Sequence, residues 1–284
     1  MNYYPITKDF LTNLIGFGVA GNFAGHLEQA GETPDFVDVE TISANAPKGL
    51  FPYYIPNSDG VIGEYPLSTN EIHYPKDLDT NAHLQAEAEV CVLFEVAYES
   101  GTVFSLTPKA FAAFNDCSIR KPGAKKISEK KNWGPATKGI SQQFIPLSSF
   151  TEGCELDNYR IASFLKRSSK LHEYGTDSLA TSYSYFHEQL SAWMISKLNT
   201  QADFGPLENL HSIIKSTNYP KQILISLGAT CYTEFGETVF LQPGDEVFIY
   251  VYDATTNSID DVTAHANGAD IDLQNSSILQ QKIV

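Results

Sequence analysis

The sequence predicts an α+β fold that is mostly β. Short segments of β-branched, aromatic and aliphatic residues recur between clusters of Gly, Pro, Asn and Asp, which is typical of strands joined by turns. Residues 179–198 carry the best helical period of the chain. The chain has 284 residues and is 42% hydrophobic, which is enough for one large core.

The first third of the chain predicts one strand followed by irregular structure. Residues 10–20 combine apolar residues with glycines and predict a strand. Residues 21–32 suit a turn into a short helix or loop, and they contain His26. Residues 33–83 are rich in Pro, Asn and Asp and predict loops with short strands at 52–56 and 72–75.

The segment from Gln85 to Arg120 carries the main functional pattern. Glu87 and Glu89 are two residues apart at the start of an apolar, β-branched run, so on a strand they would share one face. Two buried carboxylates are costly unless a positive charge lies between them. A hard divalent cation prefers oxygen ligands, and Asp116 is a candidate third ligand. The alternative is that the two glutamates form the solvated face of an edge strand.

The second half of the chain predicts one loop, two helices and three strands. The lysine-rich residues 121–138 predict a solvated, mobile loop, or alternatively a lid over the site. A helix is predicted over 179–198 and a short one over 207–214. Strands are predicted over 222–227, 237–241 and 246–251, with a turn at 243–245.

Composition narrows the classes of partner and compartment. The net charge of −15 argues against nucleic acid and anionic membranes as partners. No apolar run reaches the ~18 residues of a membrane span, and the apolar segment near the N-terminus is too short for a signal peptide. Four widely spaced cysteines without a C-x-x-C pair indicate reduced thiols in a cytoplasmic protein (Cys91, Cys117, Cys154 and Cys231).

Five motifs, in one order from residue 21 to residue 247, resemble the fumarylacetoacetate hydrolase superfamily. Glu87-Ala88-Glu89 resembles its Glu-x-Glu strand, and the segment ending at His26 resembles its Asn-Tyr-x-x-His segment. The remaining three motifs are Asn115-Asp116-Cys117-Ser118-Ile119-Arg120, Lys138-Gly139, and Leu241-Gln242-Pro243-Gly244-Asp245-Glu246-Val247.

This resemblance implies a mixed β-sheet roll with a few peripheral helices, commonly a homodimer. Residues 1–80 would supply N-terminal strands, lid and loops, and residues 81–284 the metal-binding core, together forming one structural unit. Glu87, Glu89 and Asp116 would bind Mg²⁺, with Mn²⁺ or Ca²⁺ as alternatives.

The resemblance also implies roles for residues around the metal. Lys138 would bind substrate or an oxyanion, and Arg120 and Ser118 would contact substrate. His26, with Glu28, would activate a water molecule as general base.

The chain departs from the family pattern at several of these positions. The acid that family hydrolases carry three residues after the histidine is Gln29 here, and an amide cannot accept a proton as a carboxylate does. Either Glu28 or Glu32 replaces it, or His26 works without a carboxylate. Two further acids of the family pattern are replaced by Lys121 and Ser141, and its late Gly-Thr-Pro segment appears only as residues 228–230.

The implied activity is divalent-metal-dependent hydrolysis of a C–C bond. The substrate would be a small acylpyruvate-like or other 1,3-dicarbonyl or 2-oxo acid, cleaved through a metal-stabilised enolate. The alternatives are a 2-oxo acid decarboxylase or isomerase with the same metal site, or a non-catalytic metal- or ligand-binding member of the fold.

Overall fold

The protein is described by a computed structural model for residues 3–76, 82–121 and 123–284. In these residues the strands are β1 (Ile15–Ala20), β2 (Gly49–Tyr54), β3 (Leu67–Ser68), β4 (Glu71–Ile72), β5 (His83–Gln85), β6 (Ala88–Glu99), β7 (Thr102–Asn115), β8 (Ser118–Arg120), β9 (Lys138–Ile140), β10 (Ile145–Pro146), β11 (Tyr159–Arg167), β12 (Lys170–Leu179), β13 (Gln222–Ser226), β14 (Glu246–Asp253) and β15 (Ser276–Ile283). The α-helices are α1 (Lys8–Thr12), α2 (His26–Gln29), α3 (Ser128–Lys131), α4 (His187–Thr200), α5 (Leu210–Ser216), α6 (Glu234–Thr238) and α7 (Ile259–Ala266). Short 3₁₀ helices span Thr33–Phe36, Val61–Gly63, Glu155–Asn158 and Ala180–Ser182.

Two large mixed sheets form the molecule. The first runs β2-β1-β13-β6-β7-β9-β3, with β10 paired to β7, and the second runs β12-β11-β14-β15-β4. Parallel pairs join β1 to β13, β3 to β9 and β15 to β4, while the other neighbours are antiparallel. The small sheet β5-β8 lies beside the β6–β7 hairpin. The prediction of a mostly β, mixed α+β fold is confirmed.

The core lies between the two large sheets. Apolar side chains of β6 and β7 pack against those of β11 and β14, including Val92, Phe111, Ile161 and Val251. The first seven residues of β6 are all buried because both faces of this sheet are covered. Carboxylates at the start of β6 therefore lie in the interior, and the edge-strand alternative is wrong.

The best predicted helix begins later than its apolar period indicates. Leu179 ends β12 and is 41% exposed, and a 3₁₀ turn follows before α4 begins at His187. The buried stripe of α4 keeps only the later members of the predicted period: Leu190, Trp193, Met194 and Leu198.

Two predicted strands are partly helical because a threonine caps a short helix at or before each of them. Residues 10–12 belong to α1, which Thr7 caps by accepting a hydrogen bond from the Phe10 amide at 3.1 Å. The predicted strand at 237–241 is wrong, since Thr233 caps α6 in the same way through the Gly236 amide at 3.2 Å. Of residues 72–75, only Ile72 lies in a strand.

Several other predictions agree with the fold. The short helix predicted over 207–214 is α5, and the strands predicted over 222–227 and 246–251 are β13 and β14. The proposed boundary between residues 80 and 81 lies outside the described residues. Within the described ranges, no helix is both long and apolar enough to cross a membrane.

Candidate metal centre

Three carboxylates come together at the open end of the β6–β7 hairpin, where β6 begins and β7 ends. Glu87 directly precedes β6, Glu89 lies within it, and Asp116 directly follows β7. The Asp116 amide donates to the Glu87 carbonyl at 3.0 Å, and the Glu87 amide donates to Asn115 Oδ1 at 3.1 Å. One ligand atom from each of Glu87, Glu89 and Asp116 lies within 4.8 Å of the others. We call these three residues the carboxylate cradle.

The cradle is buried, and several of its oxygens lack an aligned donor. Glu87 and Glu89 are each 2% exposed and Asp116 is fully buried. Among the described residues, Glu87 Oε1 and both Asp116 oxygens have cations nearby but accept no hydrogen bond of good geometry. Glu89 Oε2 accepts from the Gly228 amide at 3.0 Å. Such a set of convergent, under-bonded carboxylate oxygens fits a hard divalent cation.

Lys131 lies inside the cradle, which the sequence did not indicate. Its Nζ atom is 2.8 Å from Glu87 Oε2 and 2.6 Å from Asp116 Oδ2, and the side chain is 4% exposed. The prediction that residues 121–138 form only a solvated loop is therefore wrong for α3, where Lys130 is buried as well. Burial alone would lower the pKa of Lys131, but Asp116 and Glu87 raise it above its ordinary value, so the ammonium stays charged.

Arg120 braces one side of the cradle. Its guanidinium donates to Glu32 Oε1 at 2.7 Å, Gln85 Oε1 at 2.8 Å and the Tyr232 hydroxyl at 3.0 Å. It also lies 2.6 Å from Glu87 Oε1. With these partners, Arg120 orients the acids and has little donor capacity left for a substrate.

Lys138 lies on the other side of the cradle and is fully buried. Its Nζ atom is 3.0 Å from Asp116 Oδ1, donates to the Cys117 carbonyl and lies 5.6 Å from the centroid of the Trp133 ring. Burial lowers the pKa of Lys138, against the opposing effect of Asp116. The Lys138 amine therefore lies directly beside Asp116 in the cradle.

His26 is buried at the start of α2 with a defined tautomer. Its Nδ1 atom lies 3.0 Å from the Thr230 carbonyl, which can only accept, so Nδ1 carries the proton and Nε2 carries the lone pair. Burial lowers the pKa of His26 to about 4, with smaller effects from Glu87 and Arg120. The Asn22 amide fixes the preceding turn by donating to the carbonyls of Leu227 and Tyr185 at 2.9 and 3.1 Å. The His26 imidazole is therefore held in one orientation, and its lowered pKa favours the neutral form.

The other predicted acid and the predicted serine do not point into the cradle. Glu28 is exposed on α2. Glu32, the alternative acid, is buried and lies 2.7 Å from Arg120 and 3.2 Å from Lys130. Gln29 bonds both backbone groups of Tyr232 and so anchors α2. Ser118 donates to the Asp116 carbonyl at 2.7 Å and closes its own turn.

The cradle acids differ in their protonation tendencies. Burial would raise the pKa of Glu87, but Lys131 and Arg120 hold it well below its ordinary value. Burial together with Asp116 and Glu87 raises the pKa of Glu89 well above its ordinary value. Burial also raises the pKa of Asp116, against Lys131 and Lys138. A bound divalent cation would favour the ionised forms of Glu89 and Asp116.

The ion pairs of Lys130 connect two segments near the cradle. Lys130 pairs with Glu32 and Asp35, which ties α3 to the 3₁₀ helix Thr33–Phe36 above the cradle residues. A cavity of about 650 Å³ lies beside β3 and β9, but no cradle residue lines it.

The sequence predicted the cradle and two of its neighbouring cations, Arg120 and Lys138, but not Lys131. Several contacts at the cradle join segments that are far apart in sequence. They are made by Lys131, Glu32, Tyr232 and Gly228. Two adjacent lysines in a lysine-rich run carry no mark that distinguishes them from solvated ones. The only indication was that the run followed two predicted ligand segments.

Comparison with solved structures identifies the fold. A structure titled 2-keto-3-deoxyarabinonate dehydratase has a TM-score of 0.55 at 13% identity, covering 95% of this chain and 73% of that one. Cg1458 with an inhibitor has a TM-score of 0.52 at 15% identity, with 95% and 76% covered. A protein from Oleispira antarctica, assigned as a fumarylacetoacetate isomerase/hydrolase, has a TM-score of 0.51 at 13% identity, with 95% and 93% covered. The resemblance to the fumarylacetoacetate hydrolase superfamily is thereby confirmed at the level of the fold.

Comparison by sequence gives one match. No curated protein matches the chain. The model described as "Family of unknown function (DUF5718)" matches residues 32–283.

Proposed function

We propose that this chain, which belongs to the family of unknown function DUF5718, is a divalent-metal-dependent enzyme that hydrolyses a C–C bond in a small 2-oxo acid or 1,3-dicarbonyl compound. The observation that carries the proposal is the buried cradle of Glu87, Glu89 and Asp116, in which three of the converging oxygens lack an aligned donor among the described residues. Burying three carboxylates close together is costly, and such groups are concentrated at functional sites. The fold is shared with a dehydratase and with an isomerase/hydrolase, which supports an enzymatic function.

The cradle would hold Mg²⁺ or Mn²⁺. When bound, such a cation polarises two oxygens of a 1,3-dicarbonyl or 2-oxo acid and stabilises negative charge that develops between them. Lys138 lies beside Asp116 and adds a second positive charge on that side. Arg120 keeps Glu87 and Glu32 ionised and oriented.

In this proposal, His26 is the residue that acts on water. Its Nδ1–H is held by the Thr230 carbonyl, so Nε2 is free to take a proton. Its lowered pKa keeps it unprotonated at neutral pH. Water activation by His26 and attack on the distal carbonyl would split the substrate into two acids.

One observation favours a second candidate, decarboxylation or isomerisation with no attacking water. Glu32 accepts hydrogen bonds from Arg120 and Lys130, and His26 donates the hydrogen bond that orients it to a backbone carbonyl. A neutral carbonyl stabilises the imidazolium less than a carboxylate does, so His26 is a weaker base than in a His–Glu pair.

Product analysis separates the two candidates. Purified protein is incubated with Mg²⁺ or Mn²⁺ and a panel of acylpyruvates and oxaloacetate. Hydrolysis releases two acids, whereas decarboxylation releases carbon dioxide. Glu87→Gln is expected to abolish metal-dependent turnover, while the matched control Glu95→Gln, on the exposed part of β6, keeps it.

The role of His26 has its own test. His26→Gln should abolish hydrolysis while leaving metal binding intact. If His26→Gln hydrolysed the substrate as fast as the wild type, the assignment of His26 as the base would be wrong. If Glu87→Gln kept the full metal-dependent turnover of the wild type, the assignment of the cradle as the metal site would be wrong.

A further inference from the structure

The position of Lys131 leads to an inference about how the cradle takes up its metal, and it rests on the proposed function. Lys131 Nζ lies between Glu87 Oε2 and Asp116 Oδ2, at 2.8 and 2.6 Å. These are oxygens of two of the three residues that would bind the metal. A divalent cation at the usual distance of about 2.1 Å from both oxygens would fall in the space that the ammonium occupies.

The ion pairs around the cradle join three buried acids to four buried bases. Glu32, Glu87 and Asp116 pair with Arg120, Lys130, Lys131 and Lys138, whereas Glu89 makes no ion pair among the described residues. Arg120, Lys130 and Lys138 each have bonds outside the cradle, whereas both ion-pair partners of Lys131 belong to it. Lys131 is therefore the cation whose removal would free cradle oxygens for a metal.

Lys131 has one favourable contact outside the cradle. The ammonium lies 5.2 Å from the centroid of the Phe51 ring, an aromatic face that stabilises a positive charge without using a cradle oxygen. The backbone nearby is fixed, since Asn132 donates to the carbonyls of Tyr53 and Glu64 at 2.9 and 3.1 Å. The flexible four-carbon stem can thus move while α3 stays attached.

We propose that Lys131 is a built-in placeholder for the divalent cation: its ammonium neutralises Glu87 and Asp116 in the metal-free protein and leaves when the metal binds. The placeholder lets the buried cradle fold without a metal. It also weakens metal binding, because the entering cation must first displace a bonded ammonium.

The test compares Mn²⁺ affinity, by calorimetry, of the wild type, Lys131→Met and the matched control Lys130→Met. Lys130→Met removes the same charge from the neighbouring position of α3, where it pairs with Glu32 and Asp35 instead. Circular dichroism verifies folding. We expect Lys131→Met to bind Mn²⁺ about tenfold more tightly or better, and to be less stable than the wild type without metal but not with it. We expect Lys130→Met to change the affinity by less than about threefold.

The outcomes separate this proposal from the proposed function. Equal affinity of wild type and Lys131→Met, with binding lost in Glu87→Gln, would overturn the placeholder and keep the metal site. Binding by Lys131→Met alone would mean that the lysine replaces the metal permanently, overturning both displacement and a metal-dependent activity. Absence of binding in all variants would overturn both as well. If Lys131→Met does not fold, Lys131→Gln gives the same comparison with a polar side chain.

Discussion

Removing the positive charge of Arg120 should strongly destabilise the protein. The guanidinium is 2.7 Å from Glu32 and 2.6 Å from Glu87, and all three side chains are at most 9% exposed. At about 4 Å between charge centres and an effective dielectric constant of about 20, each pair contributes about 4 kcal/mol of attraction. Much of this offsets desolvation, so Arg120→Met should lower the free energy of unfolding by about 3–5 kcal/mol, mainly by leaving two buried carboxylates uncompensated.

A double-mutant cycle tests the cause of that loss. Glu32→Gln removes one of the uncompensated charges, so the combination with Arg120→Met should be about 1–3 kcal/mol more stable than the sum of the single effects. The assay is urea unfolding at pH 7 followed by circular dichroism. Arg160→Met is the matched control, since Arg160 pairs with Asp177 at 2.7 Å but is 30% exposed, and we expect it to cost about 1 kcal/mol or less.

Two results would refute this reasoning. If Arg120→Met lowered the free energy of unfolding no more than Arg160→Met does, the burial of Arg120 would not determine how much its ion pairs contribute to stability. If the effects of Arg120→Met and Glu32→Gln were additive, the two side chains would not be coupled.

Three further changes have defined expected outcomes. Burial raises the pKa of Glu208 to about 7, so the folded state binds the extra proton and the free energy of unfolding falls as pH rises from about 4.5 to 7. The variant Glu208→Gln keeps the hydrogen bond from Ser128, and urea unfolding should show its stability relative to wild type rising by up to about 3 kcal/mol between pH 5 and pH 8. A difference between variant and wild type that did not change with pH would contradict this prediction. The raised pKa of Glu89 implies that metal uptake releases a proton and strengthens as pH rises, which calorimetry in two buffers of different ionisation enthalpy measures; equal heats would count against it. Gly139→Ala should cost about 1–3 kcal/mol by thermal unfolding, because the new methyl group would lie 2.1 Å from Gln281 Oε1, and an unchanged melting temperature would contradict the close packing.

The parts of this protein that the sequence predicted are those that local chemistry determines. A strand covered on both faces must be continuously apolar, so the two glutamates at the start of β6 stood out against Val90–Phe94. The Pro-Gly-Asp turn before β14 follows from the backbone preferences of its residues. Both features are contained in a few consecutive positions.

The parts that the sequence did not predict depend on which segments meet in three dimensions. Lys131 lies in a segment whose composition indicates solvent, yet 44 residues separate it from Glu87, to which it donates at 2.8 Å. Glu32 lies 88 residues from Arg120. The misassigned residues at 237–241 had a local cause instead, since the capping threonine of α6 outweighed the β propensity of the apolar positions after it.

The most direct test of the central claim is anomalous diffraction at the manganese edge from crystals soaked in Mn²⁺. The account predicts one strong peak within coordination distance of Glu87, Glu89 and Asp116, with the Lys131 ammonium moved away from Glu87 and Asp116. No peak in the cradle, with Lys131 still bonded to both carboxylates, would contradict a metal-dependent function.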